Sequence, residues 1–246
     1  MKFRYLCHTC FKKNPDLQNK LVDLVAFNES GIYHHRCNYG HDNIICVQAF
    51  NFEILFESGL CAIYSDFYLE SVLSITAAIE RFYVFFIRIL LKSRKIKTDE
   101  YEKMYNNMSK QSERQLGAFL CLYSFFYKEC PPILLSSKSV EFRNKVVHKG
   151  FLPTKEEVLK YAENVYDIIK FYNIKLREDF QDEIQEYGFE TNAQIVNQIT
   201  AEEWKEIPVV YSSTEFAFSQ IRELESYKKE TFNERFKLLR KMNFYF

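Results

Sequence analysis

From position 50 onward the chain alternates long apolar-striped segments with short polar breaks, a pattern of helices. Positions 50–65 carry an apolar stripe with small residues at Ser58, Gly59 and Ala62, which predicts a first helix. Positions 66–92 predict a long second helix that is apolar almost all round in its second half, with Glu80, Arg81 and Arg88 as the polar exceptions. A helix of that character belongs at the centre of a core. A polar stretch at 98–107 predicts a short helix or a loop. A further apolar helix over 112–128 stops before Pro131 and Pro132. The next helix spans 137–148, closed by Gly150 in a left-handed position with Pro153 just beyond. Thr154 and Glu157 then form a capping box that opens a helix running to about 185.

At both ends the pattern changes. After Gly188 it weakens, and 191–206 and 214–242 read as amphipathic helices with charged outer faces. Ile221, Leu224, Tyr227, Phe232, Phe236 and Leu239 are placed to pack back on the bundle or against a partner. Residues 1–48 hold four of the five histidines, short aromatic and β-branched runs, and loop signals at Asn14, Pro15, Gly31 and Gly40. No internal repeat or low-complexity segment is present. The expected fold class is mainly α: a β-rich module over 1–48, a helical bundle over 49–187 and a helical extension over 188–246.

Composition supports this class. Apolar residues make up 47% and aromatics 17% of the chain, while only six Gly and five Pro are present, which favours long helices over turn-rich β structure. The 33 basic residues equal the 33 acidic ones, so a polyanion would have to be held by a local basic patch. The start of the chain lacks the apolar core of a signal peptide, and the greasiest stretch, 82–91, is interrupted by Arg88 and is about half a bilayer span. A cytoplasmic protein that does not enter a membrane is expected.

Seven cysteines, unevenly placed, argue against a secreted disulfide framework. Cys61, Cys121 and Cys130 lie in apolar context and are expected in the core. Cys7 and Cys10 form one chelating pair, and Cys37 and His41 a second, separated by a loop of 26 residues. The arrangement resembles a zinc ribbon or related knuckle. Three thiolates and an imidazole would close a tetrahedral structural Zn2+ site and staple a module too small to hold a core of its own. His8, His34, His35 and Cys46 compete as ligands, and a redox dithiol at Cys7 and Cys10 is the rival reading. Four protein ligands would leave no open position for zinc catalysis. Basic and aromatic residues around the module could grip RNA or a protein, or simply be solvated surface.

The fifth histidine, His148, follows Arg143 and Asn144 on the 137–148 helix. At about 100° per residue Asn144 and His148 share a face, and Arg143 flanks it. Lys145 and Lys149 add positive charge. Cleaving RNA requires a group that titrates near neutrality to move a proton, and a fixed cation for the phosphorane. Histidine and arginine suit those two tasks. The bland alternative is that both flank a helix C-terminus, where cations favour the macrodipole.

The run from Arg143 and Asn144 to His148, preceded by a long helix carrying Glu80 and Arg81, resembles the R-x4-6-H ribonuclease signature of the HEPN superfamily over about 50–185. The resemblance implies a HEPN-like four- or five-helix bundle that forms a homodimer with a composite cleft. It implies metal-independent RNA cleavage that leaves a 2',3'-cyclic phosphate, with no cofactor for catalysis. His148 would transfer the proton, Arg143 bind phosphate and Asn144 position. Glu80 would pair with or orient Arg143, or be a buried ion-pair member. An endoribonuclease acting on tRNA or other RNA, a toxin or anti-phage defence effector with a regulatory or antitoxin partner, is the reading that follows. The alternative is a non-catalytic HEPN-like adaptor binding RNA, nucleotides or a protein; a third is a structural partner of a second subunit through the C-terminal helices.

Overall fold

The structure, a computed structural model, describes residues 2–14, 22–128, 132–214, 218 and 223–241. Among these the protein is mainly α, with eleven helices and a small β region at the N-terminus. Strands β1 (Lys2–Leu6) and β2 (Val22–Ala26) pair antiparallel, and the short helix α1 (His8–Lys13) follows β1. β3 (Ile32–Arg36) and β4 (Asp42–Val47) form a hairpin whose turn carries Gly40 at φ +83. Neighbouring side chains of β3 face opposite sides: Tyr33 is buried and His34 exposed.

The helical body begins with α2 (Asn51–Tyr64) and α3 (Tyr68–Ser93). At 26 residues α3 is about 39 Å long. It is the central helix, burying Phe82, Phe86, Ile87, Ile89 and Leu90 almost completely. Its tight seam with α2 depends on Gly59, where a Cβ would collide with the Ile75 side chain. Around α3 pack α5 (Ser112–Tyr127), α6 (Ser137–Lys149) and α7 (Lys155–Asp179), and α4 (Thr98–Met108) runs back beside its second half, Thr98 meeting Arg88 and Tyr105 meeting Arg81. The polar 98–107 stretch is therefore a helix. α7 starts at the expected capping box, with Glu157 N–H donating to Thr154 Oγ1 at 3.3 Å and Thr154 N–H to Glu157 Oε2 at 2.9 Å.

Three expectations need correction. The helix read as running to about 185 breaks at Phe180, whose non-helical φ −138 and ψ 35 let its ring pack on Phe126; α8 (Gln181–Val196) follows. Cys61 is buried as expected, but Cys121 is exposed. On α5, Phe119 and Tyr123 are one turn apart on the core face, and Cys121 falls between them on the opposite side. Cys130 lies outside the described residues. The C-terminal region is not wholly helical: after α9 (Ala201–Glu206), β5 (Val209–Ser212) pairs in parallel with β4.

That strand ties the last fifth of the chain to the first. α10 (Leu224–Lys229) and α11 (Phe232–Lys241) follow it, and Phe218, Tyr227, Phe232 and Leu239 are buried in the same core as α3 and α7. Of the C-terminal apolar residues expected to pack on the bundle or against a partner, Tyr227, Phe232 and Leu239 are buried in the bundle and Leu224 and Phe236 pack partly buried against it; Ile221 lies outside the described residues. No helix among the described residues is long and apolar enough to cross a membrane.

Candidate functional site

The Cys7 and Cys10 pair sits where β1 runs into α1. Cys7 is the N-terminal flanking residue of that helix and Cys10 lies in its first turn, so both sulfurs face one side. The second pair is brought in by the β3–β4 turn, in which Cys37 N–H donates to the His41 carbonyl at 2.9 Å and Gly40 N–H to the Cys37 carbonyl at 2.8 Å.

The four ligand atoms lie within 4.8 Å of one another. Cys10 Sγ is 3.8 Å from Cys37 Sγ; His41 Nδ1 is 3.9 Å from Cys7 Sγ, 3.2 Å from Cys10 Sγ and 3.5 Å from Cys37 Sγ. Tetrahedral zinc with bonds of about 2.3 Å to sulfur and about 2.0 Å to nitrogen requires edges of roughly 3.8 Å between sulfurs and roughly 3.5 Å between sulfur and nitrogen. The cluster could therefore hold a metal such as zinc. All three cysteines are buried, and His41 closes the set at the surface.

Electrostatics point the same way. Burial and the neighbouring Cys7 and Cys37 sulfurs push the Cys10 thiol up to about 12. Burial also opposes ionisation of Cys7, but the Cys10 backbone N–H, the Asn43 amide and the two other thiols hold it below the ordinary thiol value. Three thiolates cannot share this space without a cation, and a divalent ion removes the conflict. Asn43, 1% exposed, donates its amide to Cys7 Sγ at 3.4 Å and to the His41 carbonyl at 2.9 Å, which fixes both knuckles. Sequence reasoning missed Asn43, since an asparagine at a strand start carries no signal of its own.

The competing ligands are occupied elsewhere. His35 is bonded to Tyr5 Oη at 2.8 Å, His34 lies 3.6 Å from Glu203, and Cys46 is buried with Ile44 and Ile199. His8 is exposed on α1 and outside the cluster.

The second candidate site is on α6. Ser136 caps it, accepting from Ser139 N–H at 3.2 Å, and Gly150 ends it at φ +66. Val146 is buried, and Phe142 packs on Tyr161 with ring centroids 5.6 Å apart. Asn164 of α7 donates to Ser139 Oγ at 3.0 Å. These contacts set the rotation of the helix.

That rotation turns Arg143 toward the bundle and His148 toward solvent. Arg143 is half-buried, with Nε buried and without an acceptor. Burial raises the Glu80 carboxyl above its ordinary value, and the nearby charges of Arg143 and Arg81 oppose that rise. Tyr161, bonded to Thr76 Oγ1 at 2.9 Å, feels the same Arg143 and Glu80 charges. The charges of Glu80 and Arg143 thus act on one another and on the Tyr161–Thr76 pair near α6, and sequence reasoning had named only Glu80 and Arg143 of these four. Tyr161 and Thr76 were hidden because each sits in an otherwise ordinary helical stripe.

On the outer side, Asn144, Lys145 and Lys149 line a shallow depression of about 440 Å³ with Glu141, which pairs with Lys145 at 3.0 Å. His148 is exposed on the same helix and does not line it. Arg81 is engaged by Tyr105 Oη at 2.8 Å and Gln115 Oε1 at 2.7 Å. Neither a family model nor a curated protein nor a solved structure matches this chain.

Proposed function

We propose that the protein is a metal-independent endoribonuclease of the HEPN type, with a structural Cys3His zinc module at its N-terminus. The observation that carries the reading is the division of labour on α6: an exposed imidazole at His148, a line of amide and ammonium groups at Asn144, Lys145 and Lys149, and a half-buried Arg143 whose charge acts on the Glu80 carboxyl. An exposed imidazole can exchange protons with a substrate hydroxyl, and the lysines supply the local positive charge that a neutral chain lacks overall.

In this reading His148 moves the proton of the 2'-hydroxyl or of the leaving oxygen. Asn144, one turn away on the same face, positions the imidazole or the phosphodiester. Arg143 neutralises the phosphorane, and Glu80 orients it. Arg143 and His148 diverge on one helix, so a homodimer that brings two α6 helices together would complete the cleft with residues of both copies. The biological role, a toxin or defence effector with an inhibitory partner, is proposed on the resemblance alone.

The test is incubation of the parent and His148→Ala with total tRNA and a labelled oligoribonucleotide in EDTA, with circular dichroism to confirm that both remain folded. Cyclic-phosphate ends from the parent alone are expected. Equal cleavage by His148→Ala would remove the catalytic assignment. Intact RNA in both samples, with binding retained, would favour the non-catalytic adaptor.

A further inference from the structure

We propose that the groove between α8 and the 48–51 segment leading into α2 docks an extended peptide segment of a partner protein, one that carries no acidic residue. The groove shares no lining residue with the depression on α6 and does not rest on the nuclease reading.

Gly188 is the starting observation. It sits in the middle of α8 and lines the groove. Its backbone is not in the left-handed region, and a Cβ added there would come no nearer than 4.0 Å to the neighbouring Phe50 ring. Gly59 is demanded by a tight helix seam, and Gly188 is not. A helix interior disfavours glycine more than any residue except proline, so the fold alone gives no reason to omit a side chain here. The omission keeps the groove open and lets another backbone approach the helix closely.

The groove has two connected parts, of about 210 Å³ and about 480 Å³, which share Ala49 and Thr191. Gln181, Ile184, Gln185, Gly188, Thr191 and Asn192 fall at helical spacing, so one continuous face of α8 forms a wall. That face is about 17 Å long, which matches about five residues of extended chain. Gln48, Ala49 and Phe50 stand opposite, followed by the 27–31 segment, and the two walls meet where Gln198 donates to the Ser30 carbonyl at 3.3 Å.

The lining selects the occupant. Charged residues make up 27% of the chain, yet none lines the first part, and Glu29 alone among the described residues brings a charge to the second. Among the described residues the side-chain amides of Gln181, Gln185 and Asn192 have no protein partner. Each offers a donor and an acceptor together, and a peptide backbone presents the same two groups at every residue. Between the amides lie Ile184 and Phe50, and Phe189, 72% exposed at the rim, awaits apolar cover. No Lys or Arg occurs between Arg177 and Lys205, whereas Asp182, next to Gln181, is exposed. An RNA strand or an acidic peptide therefore meets no counter-charge in the groove, and a peptide bearing Lys or Arg meets Asp182 and Glu29.

Panning a phage-displayed heptapeptide library on the full protein, then titrating the enriched sequences as end-capped synthetic peptides by fluorescence anisotropy, tests this. Enriched peptides poor in Asp and Glu are expected. Their affinity should fall at least about tenfold in Gly188→Leu, and also in Gln185→Ala, at an exposed position that leaves the core untouched. Methylating one central peptide nitrogen should weaken binding by a similar factor, since the amides engage the backbone. Gly188→Ala should melt at or above the thermal midpoint of the parent. No enrichment, parent-like affinity in both Gly188→Leu and Gln185→Ala, unchanged affinity in every N-methylated form, or displacement of the peptide by a single-stranded RNA pentamer would overturn the proposal. A Gly188→Ala midpoint below the parent's would do the same, by showing that the fold itself requires the glycine.

Discussion

Cys10 Sγ and His41 Nδ1 lie 3.2 Å apart although 31 positions separate them in the chain. The distance is shorter than a tetrahedral zinc site requires by a few tenths of an ångström, a gap that an inserted ion would open. The protein purified without chelator is expected to carry one zinc per chain by elemental analysis. Cys10→Ser should lose it, and Asn43→Ala should lower metal affinity about tenfold while keeping the ligand set. Zinc content unchanged in Cys10→Ser would show that the cluster is not the site.

Metal retention should also depend on pH. Each ligand must shed its proton to bind, so acidification competes with the ion. Release should follow a steep curve as pH falls, measured with a chromogenic zinc indicator, and the steepness should fall in His41→Ala.

Ile45 and Val210 are register partners across the parallel β4–β5 pair, and β5 hydrogen bonds flank them: Ile44 N–H donates to the Pro208 carbonyl at 3.0 Å and Gln48 N–H to the Ser212 carbonyl at 2.7 Å. Val210→Asp would put a charge against the buried cluster of the metal module. Amide exchange at Ile44 and Gln48 should accelerate at least about tenfold in that variant, while the β3–β4 hairpin bonds stay protected. Unchanged exchange would mean that β5 contributes nothing to the sheet.

Gly59 is required by the closeness of α2 and α3. Gly59→Ala should destabilise the protein by about 1–3 kcal/mol despite the better helix propensity of alanine, because its Cβ meets Ile75. At this chain length that corresponds to a fall in thermal midpoint of about 2–4 °C per kcal/mol. Ile75→Ala, which removes the Cγ1 that the new Cβ meets, should cost less in the Gly59→Ala background than in the parent, whereas a Gly59→Ala midpoint at or above the parent's would exclude the clash.

Glu80 has a folded-state carboxyl raised above its unfolded value, first by burial and against the attraction of Arg143 and Arg81. Its protonated form is therefore the one the fold favours. The stability it contributes is present below the ordinary value of 4.5 and is lost as pH rises through the raised value. Relative to the parent, Glu80→Gln should gain stability across that interval in thermal melts recorded from pH 3.5 to 7. A loss over the same interval would mean that attraction to Arg143 outweighs burial.

Much of the helical body was legible because its signals are local. The capping box of Thr154 and Glu157, the left-handed Gly150 and the all-round apolar α3 each depend on neighbours within a turn or two. The chelating spacing of Cys7, Cys10, Cys37 and His41 was legible too, because zinc chemistry restricts which residues can serve. The break at Phe180 and the exposed side of Cys121 were not, since each is decided by which ring or face finds a place in the core.

By itself the sequence determined the mainly helical class, the central helix, the cap residues and the candidate ligand and α6 residues, all properties carried by periodicity and side-chain chemistry. Tertiary structure alone decided that β5 closes on β4, that Asn43 braces both knuckles, that Arg143 turns inward while His148 faces solvent, and that α8 leaves an uncharged face beside the start of α2. Those outcomes depend on contacts between segments far apart in the chain, and a hydrophobic pattern records that a face will be buried without recording what will bury it.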